Sequence, residues 1–150
     1  MNKSTETVSE LRKPSFDNDA TEAPIIYFDG SCPLCTMEIE FYASRTKEDE
    51  LKLVDVSIQG ADLRPDLTAQ DAMDRFHVRK PDGELVSGAK AFVEVWRVVP
   101  GWSWATQLTL IPMVLPMMEA FYRGFLFVRP GMSWGAARLG AKAANTPRQN

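Results

Sequence analysis

The chain carries two cysteines, Cys32 and Cys35, within the run Asp29-Gly30-Ser31-Cys32-Pro33-Leu34-Cys35. Two thiols separated by two residues can form a mixed disulfide with a substrate and then close into an internal disulfide, the chemistry of thiol-disulfide exchange. That chemistry needs a thiolate as nucleophile and a second thiol to release the adduct. A helix N-terminus favours the thiolate, because its free N–H groups and partial positive charge stabilise the anion. The apolar run Ile25-Ile26-Tyr27-Phe28 reads as a buried strand leading into the motif. Pro33 suits the first turn of a helix, where its missing N–H costs nothing. Cys32, at the helix start, is therefore the expected attacking thiol. Cys35, one turn further in on the same side, is the expected resolving thiol and should be the less exposed of the two.

Two further residues are candidates for moving protons. Asp29 closes the strand three residues before Cys32, where it can act as a general base for a cysteine proton. The competing reading is that it only holds the turn, through the backbone of Gly30 and Ser31. Gly30 itself suggests a positive φ or a close backbone approach. His77, the one histidine of the chain, opens a strand whose first residue faces the cysteine pair in glutaredoxin-like folds. There it would stabilise the Cys32 thiolate or shuttle a proton, against the plainer reading of a structural histidine. The four tryptophans and the methionines read as core or groove lining.

The elements that must position these residues alternate along the chain. Residues 25–29 read as a strand, 33–46 as a helix and 51–56 as a second strand. A short helix over 68–75 has Thr68 as its cap and Asp71 in the capping-box position. Residues 76–80 and 84–87 form a hairpin around Pro81-Asp82-Gly83, and 89–99 is a helix. This order predicts an α/β domain: a thioredoxin/glutaredoxin-like four-stranded mixed sheet flanked by helices.

Residues 100–140 form an extra helical C-terminal section. Residues 108–128 are apolar enough to suggest a membrane span. Pro112, Pro116, Glu119 and Arg123 argue instead for short helices packed over the sheet, with interfacial membrane contact as the less favoured alternative.

The bulk properties agree with one soluble domain over 23–140, with polar tails at 1–22 and 141–150. A net charge of -3 without a basic cluster argues against a nucleic-acid partner. No secretory signal is legible at the N-terminus, so a cytoplasmic location is expected, where a purely structural disulfide would be unusual. A metal-binding module, or a redox-sensing or interaction protein that docks through its C-terminal section, are the competing readings. Two cysteines, one histidine and Asp29 complete a four-ligand zinc site only if it is shared across a dimer. No cofactor is called for.

The run Tyr27-Phe28-Asp29-Gly30-Ser31-Cys32-Pro33-Leu34-Cys35 resembles the motif of the DCC family of thiol-disulfide oxidoreductases, named for its Asp-Cys-Cys pattern. Phe76-His77-Val78, Asp82-Gly83 and Gly88-Ala89-Lys90-Ala91-Phe92 look like the family's second block. Residues 111–129 look like its third, although Val128-Arg129 stands where the family usually has an asparagine-arginine pair. The resemblance spans roughly residues 24–130. It implies a thioredoxin-like fold and disulfide oxidoreductase activity, with Asp29, Cys32 and Cys35 as motif residues. A disulfide-containing substrate and an external thiol reductant would be the partners.

Overall fold

A computed structural model describes residues 23–140; the two segments read as tails lie outside the described residues. In chain order the elements are β1 (Ile25–Phe28), α1 (Pro33–Ala43), β2 (Lys52–Asp55), α2 (Ala69–Asp74), β3 (His77–Arg79), β4 (Leu85–Ser87), α3 (Ala89–Val98), α4 (Ser103–Leu108) and α5 (Val114–Arg138). The four strands form one sheet in the order β2-β1-β3-β4. β1 and β2 are parallel, joined through α1, and β3 and β4 add an antiparallel hairpin beside β1. The expected mixed sheet is present, and its topology is thioredoxin-like.

β1 is buried on both faces, which is why it reads as a continuous apolar run. Ile26 and Phe28 point to one side and meet Ile39 and Tyr42 of α1, Val78 of β3, and Ala91 and Val95 of α3. Ile25 and Tyr27 point to the other and meet Val54, Val56, Leu67 and Ala72. Each such side chain contributes about 1.5–3 kcal/mol on burial. Because side chains alternate along a strand, the parity of each residue decides which of these two cores it joins.

The C-terminal section departs from expectation. α4 is short, but α5 is a single helix of 25 residues. Pro112 lies ahead of it, and Pro116 falls in its first turn, where no intrahelical N–H bond is lost. Pro130 lies within the helix without ending it. The prolines thus set where α5 begins and do not divide it. α5 rests on α1 and α3 more than on the sheet.

The junction between α3 and α5 is polar. α3 starts after Gly88, which holds φ +61°, a conformation that side-chain-bearing residues rarely adopt. Gly88 has no side chain to cap the helix. Glu119 of α5 does so instead, accepting from the Ala89 N–H at 3.1 Å and from Arg75 at 2.5 Å.

Candidate active site

Cys32 is the N-cap residue of α1, and Pro33 is in its first turn. The sulfur of Cys32 accepts a hydrogen bond from the Cys35 N–H at 3.3 Å and from the Cys35 thiol at 2.7 Å. The Ser133 hydroxyl of α5 lies 3.1 Å from the same sulfur. The Cys32 thiol is accordingly pulled down to about 5. The Cys35 thiol hydrogen bond is the largest cause, followed by the Ser133 hydroxyl, the Cys35 N–H and the Arg129 guanidinium, while burial works in the opposite direction. Cys35 moves the other way. The hydrogen bond it gives to Cys32, reinforced by burial, pushes its thiol far above the usual range. One sulfur is prepared as an anion and the other holds its proton.

The exposures run opposite to the sequence expectation. Cys32 is only 6% exposed, whereas Cys35 is half-buried. The cause is α5, which lies over Cys32 and brings Ser133 onto it. What each residue borders nevertheless differs in the useful direction. Cys32 lines an open groove of about 400 Å³ with Pro33, Leu126, Arg129, Pro130 and Ser133. Cys35 lines a narrow hollow of about 40 Å³ with Asp29, Glu38, Phe76, Tyr122 and Phe125. The first has room for a substrate; the second is on the scale of a water molecule.

Asp29 follows β1 and is tied on both oxygens. Oδ1 accepts from the Ser31 N–H at 2.9 Å and from its hydroxyl at 2.5 Å, the turn bonds expected of it. Oδ2 accepts from Arg129 at 2.7 Å, in an ion pair of which both members are largely buried. Arg129 also donates to the Met73 carbonyl at 3.2 Å. Its guanidinium therefore bridges the motif loop, α2 and α5.

Gly30 lies where only a glycine fits. A Cβ at this position would overlap an Asp55 carboxylate oxygen. Its φ is not positive, so of the two expected reasons the close approach is the one that holds. Asp55, at the end of β2, accepts from the Gly30 N–H at 2.9 Å and also from the Ser57 N–H and hydroxyl. The neighbouring strand thereby pins the motif loop.

His77 is not brought to the cysteines. It pairs across the ladder with Tyr27 and so shares the Tyr27 face of the sheet, while α1 covers the Ile26–Phe28 face. Its Nδ1 lies 2.8 Å from the Arg75 carbonyl, and burial lowers its pKa. Phe76, one residue earlier and of the opposite parity, borders the hollow beside Cys35. Its N–H donates to the Tyr122 hydroxyl of α5 at 2.7 Å.

Ser133 and Glu38 are site residues that the sequence reading did not single out, and Arg129 entered it only as part of the Val128-Arg129 pair, without a role. Arg129 carried a signal: it is the one charge between Arg123 and Arg138 in an otherwise apolar helix. Glu38 lies one turn beyond Cys35. Burial pushes its carboxyl upward, and it accepts from the Tyr42 hydroxyl at 2.7 Å. Among the described residues no group of three or more His, Cys, Asp or Glu is arranged to hold a metal ion.

A mixed sheet whose first strand runs into a Cys-x-x-Cys pair at a helix N-terminus defines a thioredoxin-like redox domain. Residues 26–134 match the family model described as DCC1-like thiol-disulfide oxidoreductase, and the chain belongs to that family. No curated protein and no solved structure matches it.

Proposed function

We propose that the protein exchanges disulfides with Cys32 as the attacking thiolate and Cys35 as the resolving thiol. The observation that carries this reading is the unequal pair: a Cys32 sulfur that receives hydrogen bonds from Cys35 and Ser133 and borders an open groove, beside a protonated Cys35. In the first step the Cys32 thiolate attacks one sulfur of a substrate disulfide. The substrate S–S bond breaks, a Cys32–substrate disulfide forms, and the departing substrate thiolate takes a proton. In the second step Cys35 loses its proton and attacks the Cys32 sulfur. The mixed disulfide breaks and the second substrate thiolate leaves. The substrate gains two electrons, and Cys32 and Cys35 end as a disulfide that an external thiol reductant reopens.

Asp29 is the proton acceptor for Cys35 in this scheme. It borders the same narrow hollow as Cys35, and its negative charge bears on that thiol. Arg129, paired with Asp29, keeps the charge of the site balanced when Cys32 is ionised.

Mass spectrometry of single variants tests the assignment. With a model disulfide such as oxidised glutathione, Cys35→Ser should accumulate a mixed disulfide on Cys32, and Cys32→Ser should form none. A Cys32→Ser variant that reacts as fast as the wild type would overturn the assignment.

A further inference from the structure

Donors from two helices converge on the Cys32 sulfur. α1 supplies the Cys35 N–H and thiol, and α5 supplies the Ser133 hydroxyl at 3.1 Å. Against a thiolate that hydroxyl can only donate. Arg129, one turn before Ser133 on α5, adds its guanidinium to the same sulfur. Its bonds to Asp29 and to the Met73 carbonyl fix it in place. Such a cluster has a drawback: as the pKa of a thiolate falls, its intrinsic nucleophilicity falls too. Attack on a disulfide gains little in return, because the group that leaves is a thiolate, a weak hydrogen-bond acceptor. A hydroxyl and a guanidinium beside the attacking sulfur suit a leaving group that is an oxygen anion, which accepts strong hydrogen bonds from both.

Access to the sulfur points the same way. α5 leaves Cys32 almost fully covered, and a disulfide in a folded protein must bring its S–S bond into line with the attacking atom. The approach is a groove of about 400 Å³ between Pro33, Met73, Leu126 and Pro130, with Arg129 and Ser133 at the sulfur. That volume and that apolar lining admit a small molecule. A hydroperoxide meets both conditions: it is small, and it leaves as an oxygen anion when a thiolate attacks it.

We propose that Cys32 also reduces small hydroperoxides, with Ser133 and Arg129 binding the departing oxygen and Cys35 completing the cycle. The proposal rests on the same pair of thiols as the disulfide reading. The Cys32 thiolate attacks the terminal oxygen of the hydroperoxide ROOH. An S–O bond forms, the O–O bond breaks, and RO⁻ leaves, held by Ser133 and Arg129 until it takes a proton from solvent. Cys32 is now a sulfenic acid. Cys35, whose sulfur lies 2.7 Å from that of Cys32, loses its proton and attacks. The S–S bond replaces the S–O bond, and the displaced hydroxide takes up the proton and leaves as water. The hydroperoxide has gained the two electrons that the thiols lost, and the external thiol reductant reopens the disulfide. Rapid closure by Cys35 also keeps Cys32 from the sulfinic acid, the next step of oxidation.

Reaction of the reduced full chain with hydrogen peroxide and with cumene hydroperoxide tests it. Wild type should form the Cys32–Cys35 disulfide and release one cumyl alcohol for each cumene hydroperoxide consumed. Cys35→Ser should instead hold a sulfenic acid on Cys32 that dimedone captures. At a pH above the Cys32 midpoint of every protein compared, Ser133→Ala should react with hydroperoxide at least about tenfold more slowly. Its alkylation by iodoacetamide should be as fast or faster, because the thiolate that remains is the more basic one. Arg129→Met should show the same split, which a merely structural role would not produce. The apolar lining predicts cumene hydroperoxide as the faster substrate; a preference for hydrogen peroxide would support the same chemistry with the smaller oxidant. The proposal is overturned by a Ser133→Ala variant that keeps the wild-type hydroperoxide rate or loses both rates equally. It is overturned also by a wild type no faster with hydroperoxide than free cysteine at equal thiolate concentration. Reduction of oxidised glutathione by the same preparation keeps the two readings apart: if it proceeds in that last case, only the hydroperoxide activity is lost.

Discussion

Asp29 and Arg129, one hundred positions apart, meet in a 2.7 Å ion pair that closes α5 onto the motif loop. The pair joins the aspartate of the motif to a helix that lies outside the minimal four-stranded fold. It also sets a cation beside two sulfurs, one of which must be negative for the chemistry to begin.

Removing that cation should show at Cys32. In Arg129→Met the stem remains and the charge goes, so the pH midpoint for iodoacetamide alkylation of Cys32 should rise, and by less than it does in Ser133→Ala. Asp29 also loses its partner in a largely buried setting, at a cost of about 1–3 kcal/mol in urea unfolding. An unmoved midpoint would mean that Arg129 only positions Asp29.

Reduced wild-type protein should alkylate at Cys32 with a midpoint near pH 5, where an ordinary thiol titrates near 9.0. The same difference links to stability. Between those two pH values the unfolded thiol holds a proton that the folded one has lost, so stability rises with pH across the window and is lost as pH falls through about 5. Cys35, shifted upward, acts in the opposite sense, and only above the ordinary thiol range. Urea unfolding of reduced wild type should therefore show a rise over this window that Cys32→Ser lacks.

Gly30→Ala tests the close approach to Asp55. The added methyl would overlap the carboxylate, so the loop or β2 must shift. A loss of about 1–3 kcal/mol is expected, as for other overpacked sites. The Cys32 midpoint should move with it, because the loop leads directly into the α1 cap. A neutral Gly30→Ala would show that the loop is not pinned by Asp55.

Tyr122→Phe removes the acceptor of the Phe76 N–H while keeping the ring against Phe92 and Phe125. The expected cost is about 1 kcal/mol, the worth of one partly buried hydrogen bond. Thermal unfolding of the two proteins side by side measures it, and Cys32 alkylation should stay unchanged.

The strand, the cysteine spacing, the proline at the helix start, the crossover and the hairpin around Pro81-Asp82-Gly83 were all legible in the sequence. Each is written in neighbouring residues: an apolar run, a two-residue gap, a turn glycine. That is enough to place Cys32 and Cys35 at the start of α1 and to build the sheet around β1. The role of His77 was not legible, because it turns on strand parity, and a single residue of register exchanges one face of the sheet for the other. The continuity of α5 was misjudged because a proline in a first turn and a proline that breaks a helix look alike until the helix start is known. Arg129 and Ser133 reach the sulfur only through the docking of α5 on α1 and α3. Contacts made across a hundred residues depend on which surfaces pack together, and no local spacing encodes that.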